Sequence, residues 1–128
     1  MPKILIADDE PQILTSTASL LEAAGFEVVT TSDHREVLDL ARLERPDALL
    51  QDVRMPGLDI GALVQRLRAD TLVGELPIIL FSASLDLMEV RDEVGATESL
   101  EKPFRPADLF AAIARACAAK SKESELVH

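Results

Sequence analysis

The sequence predicts a doubly wound α/β fold, a parallel sheet covered by helices on both faces, and three observations carry that prediction. Short apolar runs alternate with longer amphipathic stretches, each junction is marked by Gly, Pro, Asp or Ser, and the unit recurs five times in 128 residues. Strands that are each followed by a helix need crossover connections, which are right-handed and place helices on both sides of the sheet.

Each element has its own reason. Ile4-Leu5-Ile6-Ala7 is continuous, apolar and β-branched, as suits a strand buried on both faces, and it stops at Asp8-Asp9. From Gln12 to Ala24 the residues Ile13, Thr17, Leu20, Leu21 and Ala24 recur at helical spacing, and Gly25 supplies a left-handed stop. Phe26 to Thr30 reads as the second strand. Asp33 and Glu36 then make a capping box for a helix carrying Val37, Leu38 and Ala41, which Arg45-Pro46 ends.

Ala48 to Gln51 forms the third strand and delivers Asp52 to its end, before a loop with Met55-Pro56-Gly57. Ile60, Leu63, Val64 and Leu67 share one face of the third helix. Pro77 opens the fourth strand, Ile78 to Phe81, whose end carries Ser82. Ser84 is a candidate cap for a helix with Leu87, Val90 and Val94, closed by Gly95. Glu98 to Glu101 is a short, half-polar fifth strand. Pro106 opens a last helix with Phe110, Ile113 and Cys117 on one stripe, and Lys120 to His128 reads as a polar, frayed tail.

Composition excludes several classes of function. A length of 128 residues fits one domain, and 48% hydrophobic with 28% charged residues fits a soluble globular chain with one sizeable core rather than a disordered one. No run approaches the roughly 18 apolar residues of a membrane span, and Met1-Pro2-Lys3 leads into an apolar trio too short for a signal peptide, so a cytoplasmic location is expected. Lys plus Arg 13 against Asp plus Glu 23 gives −10, which repels nucleic-acid backbones and anionic lipid surfaces. Cys117, the single cysteine, makes neither an intrachain disulfide nor a cysteine metal cluster.

Ligands of an open α/β sheet sit beyond the carboxyl ends of its strands. There the assigned strands bring Asp8, Asp9, Asp52, Ser82 and Lys102 together. Two carboxylates about 5 Å apart at an effective dielectric near 20 repel by roughly 3 kcal/mol, so the trio needs a cation or raised pKa values. A hard divalent ion that joins carboxylates to a phosphate, Mg²⁺, is the economical answer. Taken singly, each residue has a plainer reading: Asp8-Asp9 as a solvated turn, Asp52 as a turn cap, Ser82 as a strand-end hydroxyl, Lys102 as a loop cation. His34 reads as exposed and His128 as tail.

The ordered set Ile4 to Pro11, Asp52-Val53-Arg54-Met55-Pro56-Gly57, Phe81-Ser82-Ala83, Gly95-Ala96 and Lys102-Pro103-Phe104 resembles the receiver domains of two-component response regulators, across nearly the whole chain. The resemblance implies a flavodoxin-like strand order 2-1-3-4-5, a receiver domain over residues 1–119 and a tail over 120–128. It implies that Asp52 is the phosphoacceptor, taking a phosphoryl group from a sensor histidine kinase, a histidine phosphotransfer protein or a small acyl phosphate. Asp9, Asp52 and the Arg54 backbone carbonyl would bind Mg²⁺ directly and Asp8 through water. Lys102 and Ser82 would hold the phosphoryl oxygens, and Pro103 would follow a cis peptide that aims Lys102 into the site.

Four departures from the family pattern stand out. Ser99 occupies the position, three before Lys102, where the family carries an aromatic that reports the state of the hydroxyl at Ser82, so the usual switch lacks its second half. Ile60 replaces a frequent Gly after Asp59, which suggests a rearranged loop. Gln51 puts a polar group beside Asp52 that needs a partner if buried, and Arg54 lies where side chains control water access and hence phosphoaspartate lifetime.

The reading is a stand-alone receiver that signals to a downstream protein target, as a monomer or weak homodimer. It is not a metabolic enzyme and catalyses only its own phosphorylation and dephosphorylation. Two alternatives differ in class. One is a phosphorylation-independent receiver-like interaction module, suggested by Ser99. The other is an aspartyl phosphatase, which would need an acid Asp beside the nucleophile and a substrate-binding cap for which no segment is large enough.

Overall fold

The computed structural model describes residues 2–83 and 86–127. Strands β1 (Lys3–Ala7), β2 (Glu27–Thr31), β3 (Ala48–Asp52), β4 (Ile78–Ser82) and β5 (Glu98–Glu101) pair in parallel, in the order β2-β1-β3-β4-β5. Among the described residues the helices are α1 (Pro11–Ala23), α2 (Val37–Glu44), α3 (Ile60–Ala69), α4 (Leu87–Val94) and α5 (Pro106–Val127), with a 3-10 turn at His34–Glu36 before α2. The fold class and the strand order expected from the sequence are those observed.

Alternate side chains of the three central strands point to opposite faces, and both faces are covered. Leu5, Ala7, Leu49, Ile78 and Leu80 pack with Val37 and Ala41 of α2, Leu63, Val64 and Leu67 of α3, and Leu87 of α4. Ile4, Ile6, Ala48, Leu50, Ile79 and Phe81 pack with Leu21 of α1 and Leu109, Ala112, Ile113 and Ala116 of α5. Burial on both faces is why residues 4–7 of β1, 48–50 of β3 and 78–81 of β4 are unbroken apolar runs, while the edge strands β2 and β5 carry polar residues along their length.

Several local expectations are met in detail. α1 ends in a Schellman motif: Gly25 has φ +97°, its N–H reaches the Glu22 carbonyl, and the Phe26 N–H reaches the Leu21 carbonyl, both at 3.0 Å. Phe26 therefore belongs to the turn, and β2 starts one residue later. Gly95 closes α4 in the left-handed conformation, as expected.

Other expectations are corrected. Glu36 does not close a capping box, because its carboxylate accepts from the Thr31 hydroxyl at 2.9 Å and the Asp33 N–H is taken by that same hydroxyl at 3.1 Å. The stripe of α5 that enters the core is Leu109, Ala112, Ile113 and Ala116. Phe110 and Cys117 lie on its flank, where Phe110 stacks on Phe26 with ring centroids 6.4 Å apart. The helix also runs on to Val127 instead of giving way to a tail at Lys120, through a stretch of Lys, Ser, Glu, Leu and Val that holds neither Gly nor Pro. The candidate cap Ser84 lies outside the described residues.

Candidate functional site

Strand register builds the site. Ala7 pairs with Gln51 across β1 and β3, so the next residues, Asp8 and Asp52, stand side by side at the carboxyl edge. Ser82 pairs with Glu101 across β4 and β5, and the Lys102 N–H then donates to the Ser82 carbonyl at 2.9 Å. The Lys102–Pro103 peptide is cis, as the resemblance implied.

One carboxylate oxygen each from Asp8, Asp9 and Asp52 lies within 4.8 Å of the others. Asp8 is fully buried, Asp52 is 2% exposed and Asp9 is half-buried. The Lys102 ammonium sits 3.0 Å from Asp8 Oδ2, 3.6 Å from Asp52 Oδ1 and 4.4 Å from the centroid of the Phe81 ring. Asp8 Oδ1 accepts from the Glu10 N–H at 2.9 Å and Asp52 Oδ1 from the Arg54 N–H at 3.1 Å. Three carboxylates against one ammonium leave the cluster two charges negative.

The acidity of Asp52 reflects its burial first and the neighbouring charges after it. Burial pushes its carboxyl up from 3.8 to about 6; the Arg54 N–H and the Lys102 charge pull it down, and the neighbouring Asp8 adds to the upward push. At pH 7.5 it is still ionised and therefore nucleophilic. The donor set is wholly carboxylate oxygen, partly pre-buried and two charges short of neutrality, so it fits a hard divalent ion better than a soft one.

The other sequence-derived candidates fall in different places. Ser82 ends β4, 1% exposed, beside the backbone of Lys102. Arg54 is exposed on the loop after Asp52, with its N–H directed at Asp52. Ser99 lies mid-strand in β5 opposite Leu80, away from the carboxylates, and its hydroxyl faces Arg91 Nη1 of α4 at 3.4 Å. Arg91 carried no sequence signal; it is an ordinary polar position of an amphipathic helix.

Gln51 is fully buried, donates from Nε2 to the Asp52 carbonyl at 2.9 Å and to Met55 Sδ at 3.3 Å, and its Oε1 has no hydrogen-bond partner among the described residues. The expected partner is thus half supplied. His34, expected to be exposed, is partly covered, with Nε2 3.1 Å from the Pro56 carbonyl. Asp59 caps α3 by accepting from the Ala62 N–H at 3.1 Å, so Ile60 enters the helix directly.

Among the described residues no helix is long and apolar enough to cross a membrane. Residues 4–114 match the family model of the response regulator receiver domain. The chain is 39% identical over 114 residues to the transcriptional regulatory protein PrrA of Mycobacterium tuberculosis, covering 88% of this chain and 48% of that protein. It thus spans about half the length of such curated relatives. Among solved structures, the chemotaxis response regulator CheY4 of Vibrio cholerae superposes with a TM-score of 0.82 at 32% identity, over 91% of this chain and 98% of that one. The receiver domain of the sensor histidine kinase PA1611 of Pseudomonas aeruginosa, solved with a magnesium ion coordinated in its active-site cleft, gives a TM-score of 0.81 at 29% identity, over 91% and 98% of the two chains. Register, acidic cluster and likeness agree, and the chain belongs to the response regulator receiver domains of two-component systems.

Proposed function

We propose that Asp52 accepts a phosphoryl group from a phosphohistidine of a sensor kinase or histidine phosphotransfer protein, with Mg²⁺ bound at Asp8, Asp9, Asp52 and the Arg54 carbonyl. The observation that carries this reading is the buried, ionised Asp52 carboxylate held within reach of two further carboxylates and one ammonium. Phosphoryl transfer asks little beyond in-line positioning and neutralisation of the equatorial oxygens. Attack by Asp52 forms a P–O bond as the P–N bond breaks, and the donor imidazole leaves. Magnesium, when bound, supplies charge neutralisation to the phosphoryl oxygens. The Arg54 N–H orients Asp52, and Lys102 is close enough to both buried acids to swing toward a phosphoryl oxygen.

An apolar groove of about 500 Å³ between α1 and the segment before α5, lined by Ile13, Leu20, Lys102, Pro103 and Phe104, opens beside the site and suits a helical donor surface. In this reading the chain turns over no metabolite, works in the cytoplasm and signals through a protein surface. The test is incubation with a phosphohistidine donor protein labelled on its phosphoryl group. Label is expected to move to this chain only with Mg²⁺ and to be released by hydroxylamine, as an acyl phosphate is. Label that stays on the donor refutes the transfer.

A second reading, a module whose binding ignores phosphate, is favoured by one observation, the pairing of Ser99 with Arg91 where the family carries its aromatic. It requires equal partner affinity for the parent and for Asp52→Asn, whereas the first requires the phosphorylated parent to differ from both.

A further inference from the structure

The segment after Asp52 ends in a hydrogen-bonded turn. The Leu58 N–H reaches the Met55 carbonyl at 3.0 Å, Pro56 holds the second position and Gly57 the third, with φ +76°. Proline followed by a positive-φ residue is the type II arrangement, and type II differs from type I by a flip of the central peptide. The direction of the Pro56 carbonyl is therefore what tells the two turns apart.

That carbonyl is held by a residue 22 positions away in sequence. His34, in the 3-10 turn that precedes α2, places its ring Nε2 3.1 Å from Pro56 O. A carbonyl only accepts, so this nitrogen carries the proton, in the neutral Nε2–H tautomer and in the imidazolium alike. The same nitrogen would stand 3.6 Å from a Cβ at Gly57, so the ring rests against the turn itself. From the core side Gln51 grips the loop through the Asp52 carbonyl and Met55 Sδ. The loop that carries Asp52 and Arg54 is thus clamped from beneath by Gln51 and from outside by His34.

We propose that His34 is a positioning residue for phosphoryl transfer: it fixes the Pro56–Gly57 peptide and, through this short loop, the Arg54 backbone that orients Asp52 and whose carbonyl would help hold the metal. The inference rests on the reading of Asp52 as phosphoacceptor, but its test does not need phosphorylation. His34→Ala and His34→Gln are compared with the parent by hydrogen exchange at the Leu58 amide and by calorimetric titration with Mg²⁺.

Loss of one neutral hydrogen bond is worth a factor of about three to ten. His34→Ala is expected to lower Leu58 protection and Mg²⁺ affinity by about that factor, with exchange in β1, β3 and β4 unchanged. His34→Gln, whose Nε2–H can meet the same carbonyl, is expected to recover most of both. Parent-like Leu58 protection or parent-like Mg²⁺ affinity in His34→Ala overturns the proposal. Equal damage in His34→Gln, or a loss of protection spread through the whole sheet, does so too. Failure of the phosphoacceptor reading shows separately, as a parent that takes up no phosphoryl group. If the parent also binds no Mg²⁺, Leu58 exchange in the two variants decides.

Discussion

Lys102→Ala is expected to destabilise the metal-free protein by about 2–4 kcal/mol at pH 7.5 and to slow phosphorylation by about a hundredfold or more. Its ammonium is 3.0 Å from the fully buried Asp8 and 3.6 Å from the nearly buried Asp52, and it is the only Lys or Arg side chain within 4.0 Å of either among the described residues. Breaking a buried ion pair by removing one partner leaves the other charged and desolvated, which is costlier than never having built the pair. Proton uptake by one of the acids caps the loss, so it should shrink as the pH falls. Saturating Mg²⁺ replaces part of the missing charge, and the deficit in urea unfolding should narrow when it is added. A variant as stable as the parent without metal would mean that solvent screens the cluster far better than its burial implies.

Asp52→Asn is expected to act in the opposite direction. The carboxyl of Asp52 is raised from 3.8 to about 6, chiefly by burial. Between those values the folded protein keeps a proton that the unfolded chain releases. This stabilisation is complete below pH 3.8 and is lost as the pH rises to about 6, above which the fold carries the cost of a buried charge. Asparagine removes that charge while keeping an oxygen for the Arg54 N–H, and Lys102 retains Asp8 at 3.0 Å. The metal-free variant should therefore be more stable than the parent at pH 7.5, by up to about 3 kcal/mol. The gain should vanish near pH 4. Mg²⁺ should invert the order, because only the parent offers the full set of ligands and gains the free energy of binding. A less stable variant in metal-free buffer would mean that the attraction of Lys102 outweighs burial.

The parts of this molecule that were legible in the sequence are those whose physics is local or repeated. β1, β3 and β4 announce themselves because burial on both faces favours apolar runs, and the acids stand out because charge follows closely on such runs, whereas Lys102 follows the half-polar β5 and stands out only by its place at a strand end. Strand order was not derivable from periodicity and came from the resemblance. The α5 core stripe was misplaced because Ala112 and Ala116 are too small to stand out beside Phe110, although small residues are what let the helix approach the sheet. His34 with Pro56 and Arg91 with Ser99 are contacts between elements, at spacings that no helical or strand period connects. Glu36 misled for a related reason: the hydroxyl of Thr31, at the end of β2, outcompeted the local cap.

The most direct test of Asp52 as the acceptor is intact mass after incubation with acetyl phosphate, with and without Mg²⁺, on the parent and on Asp52→Asn. The predicted result is a single phosphoryl adduct that needs Mg²⁺, appears on the parent and is absent from the variant. An unmodified parent that is folded and binds Mg²⁺, or an adduct that persists in Asp52→Asn, would contradict it.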